Sequence, residues 1–359
     1  MTRRARIAVL GAGWWSSTVH LPALAGNPRA ELVAVCDPNA SRARLAASTF
    51  GGRPFTDVDD LLARIPLDGV VIATPHTTHF AAAEAALRVG VNVLVEKPLA
   101  TTASDAWALV ELARERSCLL AAGLTYQYAA AAPQIRDAVQ TDIGELRSIN
   151  AEFSSTTLGL FRVVDPEDAR LDDAAAPHGT TYSDPETGGG QAHTQMTHLL
   201  GGVLWAAGRQ AIEVSAFTAH HGLAVDLVDA VAFSLDGGAL AAASSTGTTP
   251  PGVAPRHRIR FHGTKGMVEW DMLRADAVVH LEGGLMRAID NPVDSPSYAK
   301  GRVTESFVES ILDGTPTPAP AFAAAASVAL IEATLRSAQE RRVLEVSQAP
   351  AALFDSLPS

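Results

Sequence analysis

RIAVLGAGWWS, residues 6–16, passes from a short apolar run into two glycines one residue apart and then a tryptophan pair. RIAVL is short, continuous and branched, as a strand buried on both faces should be. Gly11 permits a tight turn, Gly13 leaves the backbone uncovered, and Ser16 is small enough for a helix to pack closely on the strand. The chain then repeats this strand–turn–helix unit. Residues 31–36 (ELVAVC), 69–73 (GVVIA), 91–95 (VNVLV) and 118–122 (CLLAA) read as further buried strands. Helices are expected near 39–50, 78–89 and 102–116. Their N-caps are Asn39, Thr77 or Thr78, and Thr101 or Thr102. Such alternation predicts a parallel sheet with helices on both faces.

The pattern changes after about residue 123. A linking helix is expected at 129–140 and a strand at about 146–156, followed by a long Asp-, Pro- and Gly-rich stretch at 162–189. Residues 191–207 read as helical. From 211 to 282 the chain reads as successive strands, with GTKG (263–266) as a hairpin turn. Two helices follow, near 303–313 and 320–339, and the tail 347–359 is expected to be loosely held. The fold class is therefore α/β: a doubly wound parallel sheet at 1–123, then an α+β domain at 124–359 with a largely antiparallel open sheet.

A length of 359 residues fits two domains, and 47% hydrophobic content supplies two cores. A formal net charge of −11 disfavours nucleic acid or an anionic membrane surface as partner. No apolar run stands out as a membrane span, and the N-terminus lacks a small-residue cleavage site. Cys36 and Cys118 read as buried free thiols, in keeping with a cytoplasmic protein. Only three of the 28 basic residues are lysine: Lys97, Lys265 and Lys300. A lysine kept in so arginine-rich a chain suggests a task arginine cannot perform, such as releasing a proton.

Gly11-Ala12-Gly13-Trp14-Trp15-Ser16 is a dinucleotide-binding loop by its context: it follows a strand and opens a helix. Asp37 ends the second strand, where an acid hydrogen-bonds a ribose diol and repels a 2′-phosphate. This favours NAD over NADP, although Ser41 and Arg42 could accommodate the phosphate. Two further strands end in Thr74-Pro75-His76-Thr77-Thr78-His79 and in Glu96-Lys97-Pro98, at the carboxyl edge where ligands of such sheets bind. Trp14 and Trp15 are candidates to wall the cofactor, and Tyr126 to line a substrate cleft.

The glycine loop, the TP-x-x-x-H turn and VLVEKPLA together resemble the Gfo/Idh/MocA family of oxidoreductases. The likeness continues through Gly188-Gly189-Gly190, His198, HGTKGMVEW and the last helix into VLEV. The resemblance implies an N-terminal Rossmann domain and a C-terminal domain with an open sheet, with a nicotinamide cofactor between them. It implies hydride exchange with a hydroxyl or carbonyl carbon of a sugar, glycoside or cyclic polyol. It also implies a homo-oligomer, dimer or tetramer. By the same resemblance Lys97 lies near the nicotinamide ribose and the substrate hydroxyl, Glu96 helps fix the cofactor, and Pro98 follows a cis peptide. Lys97 is the expected proton-transfer group, because partial burial beside a cationic ring lowers its pKa toward working pH.

The family places an aspartate and, four residues later, a histidine on one helix face. Here His198 matches the histidine, but Thr194 stands at the aspartate position. Thr194 and Gln195 are expected to contact substrate by hydrogen bonds, with His198 assisting Lys97. His178, Tyr182, Asp184 and Glu186 are candidates to replace the missing carboxylate. His193 and His198 are five apart, which suits one metal ion poorly, and no metal is expected. Two rival readings remain: NAD-assisted elimination or glycoside cleavage without net cofactor turnover, and a non-enzymatic cofactor sensor.

Overall fold

The computed structural model describes residues 3–162, 180–296, 298–350 and 353. Six strands form the first sheet: β1 (Ala5–Leu10), β2 (Ala30–Cys36), β3 (Arg53–Phe55), β4 (Gly69–Ile72), β5 (Asn92–Val95) and β6 (Leu120–Ala122). They pair in parallel in the order β3-β2-β1-β4-β5-β6. The strand order reverses between β1 and β4, and the crevice at their carboxyl ends is where open α/β sheets take ligands. All residues of β4 and all but two flanking positions in β1 and β5 are buried, which explains their unbroken apolar runs. β3 and the short helix Val58–Arg64 escaped the sequence reading. β3 is three residues long with two exposed, too short to show a period.

Asn39 caps the helix Ala40–Phe50 by accepting from the Ser41 and Arg42 amides. Thr102 caps Ala103–Glu115 through Asp105. Thr78 precedes His79–Arg88 but makes no such bond; its hydroxyl donates to the Pro75 carbonyl instead.

The second sheet has nine strands: β7 (Leu146–Ser154), β8 (Ala211–Ala219), β9 (Val228–Leu235), β10 (Leu240–Thr246), β11 (His257–Gly263), β12 (Gly266–Asp271), β13 (Asp276–Leu281), β14 (Leu285–Ile289) and β15 (Leu344–Glu345). Their order is β14-β13-β12-β11-β7-β10-β9-β8-β15, and every pair but β7–β10 is antiparallel. Burial alternates along β9, β10 and β11, so one face packs on helices Thr197–Ala207 and Ala321–Glu340 while the other meets solvent. The 20-residue helix Ala321–Glu340 is apolar and long enough by composition to cross a membrane. It is instead largely buried against β8 and helix Ala103–Glu115. The expected loose tail is corrected in part. Gln348 donates to the Ala211 carbonyl, the Ala349 amide donates to Gln210, and both Ala349 and Leu353 are buried. Cys36 is buried and Cys118 half-buried, both as free thiols. Burial, then Asp57 and Asp37, push the Cys36 thiol up to about 11.

The chain returns to the first sheet after building the second. Helix Lys300–Asp313 packs on β1 and β5 and against helix Leu21–Gly26, and Arg29 pairs with Asp313. A Cβ on Gly69 would lie 2.9 Å from the Phe307 ring, so β4 and this helix meet without room to spare. Phe307 is fully buried there. Phe307→Ala should cost about 3–5 kcal/mol in urea unfolding, because the cavity opens at the joint between sheet and helix. A loss under about 1 kcal/mol would show that the joint does not hold the first sheet.

Candidate active site

The chain leaves β1 through Gly11 at φ +92°, where a Cβ would lie 2.5 Å from the Ala73 carbonyl oxygen. Gly11 is therefore demanded by the contact between the turns after β1 and β4. Gly13 differs: a Cβ there would meet nothing within 4 Å, so this side of the loop is open. A helix starts at once, widens to a π turn over Ser16–His20, and returns to α at Leu21–Gly26. Pro22 has no N–H to continue the regular ladder, and the Leu21 amide bonds back to the Ser16 carbonyl. An open loop at a helix N-terminus suits a pyrophosphate.

Asp37 lies just past β2 and is buried. Its two oxygens accept from the Ala12 amide at 2.9 Å and the Asn39 amide at 2.8 Å. It thus ties the glycine loop to the end of β2 and places one negative charge beside it. Arg42 follows at the exposed start of helix Ala40–Phe50.

Across the crevice, Thr74 and Pro75 turn the chain out of β4. The Thr74 hydroxyl is buried with no hydrogen-bond partner among the described residues, a polar group left for a ligand. The His79 ring is fully buried between two carbonyls, Pro98 at 2.7 Å from Nδ1 and Thr74 at 2.9 Å from Nε2. Burial lowers its pKa, and the two carbonyls pull it back. His76 Nδ1 lies 2.9 Å from the Gly188 carbonyl, so this turn is tied to the second domain. Burial, with His79 and Lys97 nearby, holds the His76 pKa well below its ordinary value.

Glu96 and Lys97 leave β5, and the Lys97–Pro98 peptide is cis. Glu96 is buried and fully engaged. Oε1 accepts from Trp15 Nε1 at 2.9 Å and meets His20 Nε2 at 3.1 Å; Oε2 accepts from the Lys97 amide. His20 Nδ1 contacts Thr304 at 2.8 Å. Burial opposes ionisation of Glu96, but the His20 bond, the His20 and Lys97 charges and the Trp15 bond outweigh it and keep its pKa low. A Cβ on Gly123 would lie 2.6 Å from this carboxylate, so glycine is required where β6 passes it. The Lys97 side chain is part-buried, and Nζ donates to the Thr194 backbone carbonyl at 2.9 Å. Burial pushes its pKa down and Glu96 resists.

The glycine run is the second domain's contribution. Gly188 and Gly190 have φ +75° and +95°. A Cβ would meet Thr101 at 3.0 Å from Gly188, the Tyr182 carbonyl at 2.6 Å from Gly189, and Asp226 at 2.1 Å from Gly190. The following helix begins with a π turn, Ala192–Met196, and becomes α at Thr197–Ala207. The wider turn changes the expected i, i+4 relation of Thr194 and His198. The Thr194 hydroxyl donates to the Gly190 carbonyl at 2.6 Å and does not line the cavity, so what Thr194 presents to Lys97 is its backbone. His198 lies edge-on to Tyr126 at 5.5 Å. Its Nδ1 is buried with no partner among the described residues. Burial, Lys97 and His257 hold its pKa well below the ordinary value, so it is neutral.

A cavity of about 230 Å³ joins these pieces. It gathers Trp14, Trp15, Thr74, His76, His79, Glu96, Lys97, Tyr126, Tyr182, Gln195 and His198. Gly11, Ala12, Gly13, Asp37, Arg42 and Pro75 lie outside its lining, toward the loop where the rest of a dinucleotide fits. His178 lies outside the described residues. The Asp184 carboxylate accepts from the Glu186 amide within its own turn, and neither acid lines the cavity.

Leu160 and Tyr298 line the cavity without having been foreseen. His20 was also missed; a histidine on the buried face of the first helix was its signal. His257 was missed too. Its Nε2 faces the Ser154 carbonyl at 3.0 Å and must donate, so Nδ1 accepts from the Tyr126 hydroxyl at 2.8 Å. Burial, opposed by Ser154 and Asp271, pushes His257 down to about 4, which keeps this tautomer neutral.

Residues 5–124 match the family model described as an oxidoreductase family with an NAD-binding Rossmann fold, and residues 134–269 match the GFO/IDH/MocA C-terminal domain. The chain is 39% identical over 153 residues to dTDP-3,4-didehydro-2,6-dideoxy-alpha-D-glucose 3-reductase of Streptomyces violaceoruber, covering 42% of this chain and 45% of the relative. It is 40% identical over 122 residues to UDP-N-acetylglucosamine 3-dehydrogenase of Acidithiobacillus ferrooxidans, covering 34% and 37%. These alignments span less than half of either relative. In fold the chain is similar to GenD2 from gentamicin A biosynthesis, solved with NAD, at a TM-score of 0.78 and 24% identity over 97% of this chain and 98% of that one.

The open glycine loop makes one sharp prediction. Gly11→Ala would drive a methyl group into the Ala73 carbonyl, displace the loop, and weaken dinucleotide binding by about tenfold or more in a fluorescence titration. Unchanged affinity would place the dinucleotide elsewhere.

Proposed function

The chain belongs to the Gfo/Idh/MocA oxidoreductase family, and from that premise we propose that it is an NAD-dependent dehydrogenase or reductase acting on a ring hydroxyl or ketone of a sugar, glycoside or cyclic polyol. The observation that carries this reading is the Lys97 amine, half-buried in the cavity, with its pKa lowered by burial and its position fixed by the Thr194 carbonyl. The names of the two sugar-active relatives both place their reaction at position 3, which supports a ring secondary carbon as the reacting centre.

The described residues fit a dinucleotide. The loop is open at Gly13, the Thr74 hydroxyl awaits a partner, and Asp37 sets a carboxylate at the end of β2. That carboxylate supports NAD over NADP, because a 2′-phosphate would meet like charge. When bound, the nicotinamide supplies the two-electron acceptor or donor. The protein's part is proton handling and positioning. The Lys97 amine, in its deprotonated form, takes the substrate hydroxyl proton at Nζ during oxidation, and the ammonium returns it during reduction. Neutral His198 offers a hydrogen bond without competing for that proton. Tyr126, its own proton held by His257, presents acceptor lone pairs to a neighbouring substrate hydroxyl. Gln195 and Tyr182 complete the cavity wall. The solvent face of the nine-stranded sheet, with Phe217 and Leu240 exposed, supports self-association as a dimer or tetramer, to be read by sedimentation.

Purified protein incubated with NAD or NADP and a panel of hexoses, glycosides and inositols should form NADH in step with substrate loss. Substrate loss without NADH would overturn net oxidation. Lys97→Ala should lower turnover by about 10²–10⁴-fold while leaving NAD affinity within a few-fold. Near-normal turnover would remove Lys97 from the mechanism.

Glu96→Gln gives a directional test. The Glu96 charge raises the Lys97 pKa, so its removal leaves burial unopposed and lowers that pKa. The acid limb of the pH–rate profile should move to lower pH. A shift upward would contradict the assignment of Lys97 as the base.

A further inference from the structure

Behind the glycine run lie two carboxyl groups that the proposed chemistry does not use. Asp226 is buried. Its Oδ2 accepts from the Ala192 amide at 2.7 Å, its backbone carbonyl accepts from Gln191 at 3.0 Å, and its Oδ1 fills the space a Gly190 side chain would need. It therefore holds the first residues of the helix that carries Thr194 and His198. Asp229 stands three residues on, in β9, at 0% exposure. Neither of its oxygens has a hydrogen-bond donor among the described protein groups, and the side chain beside it is Asp226. Across the sheet its register partners are Thr218 and Ser245, neither of which ionises. The Ser245 hydroxyl already accepts from Gln191. His193, on the π turn, and Glu332, on the last long helix, are the other titratable groups near this cluster; Asp226 and Glu332 both act on His193, and neither His193 nor Glu332 acts on Asp229.

Two adjacent buried carboxylates, one of them with no donor among the described residues, cannot both ionise in a dry interior. A carboxyl that keeps its proton becomes a donor, and the acceptor beside it among the described residues is Asp226. We propose that Asp226 and Asp229 share one proton at neutral pH, Asp229 donating to Asp226, and that this proton-bridged pair clamps the helix start whose Thr194 carbonyl fixes the Lys97 amine. The direction of titration agrees. Burial, then the Asp226 charge and hydrogen bond, push Asp229 up to about 9. Asp226 stays the acceptor for Ala192 in this arrangement, and the proton satisfies both residues at once. The link to Lys97 rests on the dehydrogenase reading above; the shared proton does not.

The sign of the stability effect follows. Asp229 binds its proton more tightly in the folded chain than in the unfolded one. Its contribution is fully present below the unfolded pKa and is lost as pH rises toward 9. Thermal unfolding of the full chain between pH 5 and pH 9 should show this decline. Asp229→Asn places a permanent donor toward Asp226, so its pH slope should be flatter and its Tm at pH 8 higher by on the order of 5 °C. Parallel slopes for the two proteins would overturn the shared proton. If the variant fails to fold, carbon-13 NMR of wild-type chain labelled at aspartate carboxyls decides the matter. One carboxyl carbon should remain in its protonated form at pH 7, and its absence would overturn the proposal. For the link to Lys97, the alkaline limb of turnover should extend to higher pH in Asp229→Asn, and an unmoved limb would sever the clamp from catalysis. Failure of every sugar substrate would leave the unfolding and NMR results intact, so the two readings fail separately.

Discussion

The hydrogen bond from Lys97 Nζ to the Thr194 carbonyl spans the two sheets, and most local features of the cavity are conditions for it. A lysine at the end of β5 reaches a backbone oxygen of the second domain only if that backbone comes close. Three successive glycines allow the approach, since side chains on them would strike Thr101, Tyr182 and Asp226. The His76–Gly188 contact fixes the same segment from the neighbouring turn. A π turn at Ala192–Met196 loosens the regular ladder where the Thr194 carbonyl is used.

Glu96 plays the complementary part from within the first domain. Its carboxylate is surrounded by Trp15 and His20 from the first helix and by the Lys97 amide from its own strand end. A buried carboxylate is tolerable only with such a set of donors. The same charge keeps Lys97 from losing its proton too readily, so one group sets both the geometry at the β5 end and the basicity of the amine beside it. Thr304 extends the chain of contacts to helix Lys300–Asp313, which is how the last part of the sequence supports a site built mostly by the first.

The first domain was legible because its rules are local. Strands buried on both faces write continuous apolar runs, glycine and N-cap residues mark their ends, and the Gly11 loop carries its own signature. Lys97, His76, His79 and Glu96 were found for the same reason: each sits within a few residues of a strand end. What escaped depends on contacts far along the chain. His20 meets Thr304 across 284 positions, Tyr126 meets His257 across 131, and neither pairing leaves a trace in spacing. Spacing alone puts Thr194 and His198 on one α-helical face, whereas the π turn at Ala192–Met196 changes that geometry. Asp226 and Asp229 carry no signal at all, because nothing in DLVD records that both are buried and that Asp229 has no donor among the described residues.

Replacement of the family's acid by Thr194 acquires a physical meaning once these contacts are combined. A carboxylate at that position would favour protonated His198 and raise the Lys97 pKa through its charge. Here the side chain is neutral and turned to the Gly190 carbonyl, so neither effect operates. Burial first, with Lys97 and His257 close by, holds the His198 pKa well below its ordinary value. The negative charge nearest the amine is then Glu96, which lies on the first-domain side and is already saturated with donors. In the proposed reaction, proton exchange with the substrate would therefore concentrate on the Lys97 amine, and the second domain would contribute shape, one backbone carbonyl and a neutral ring in place of a charged pair.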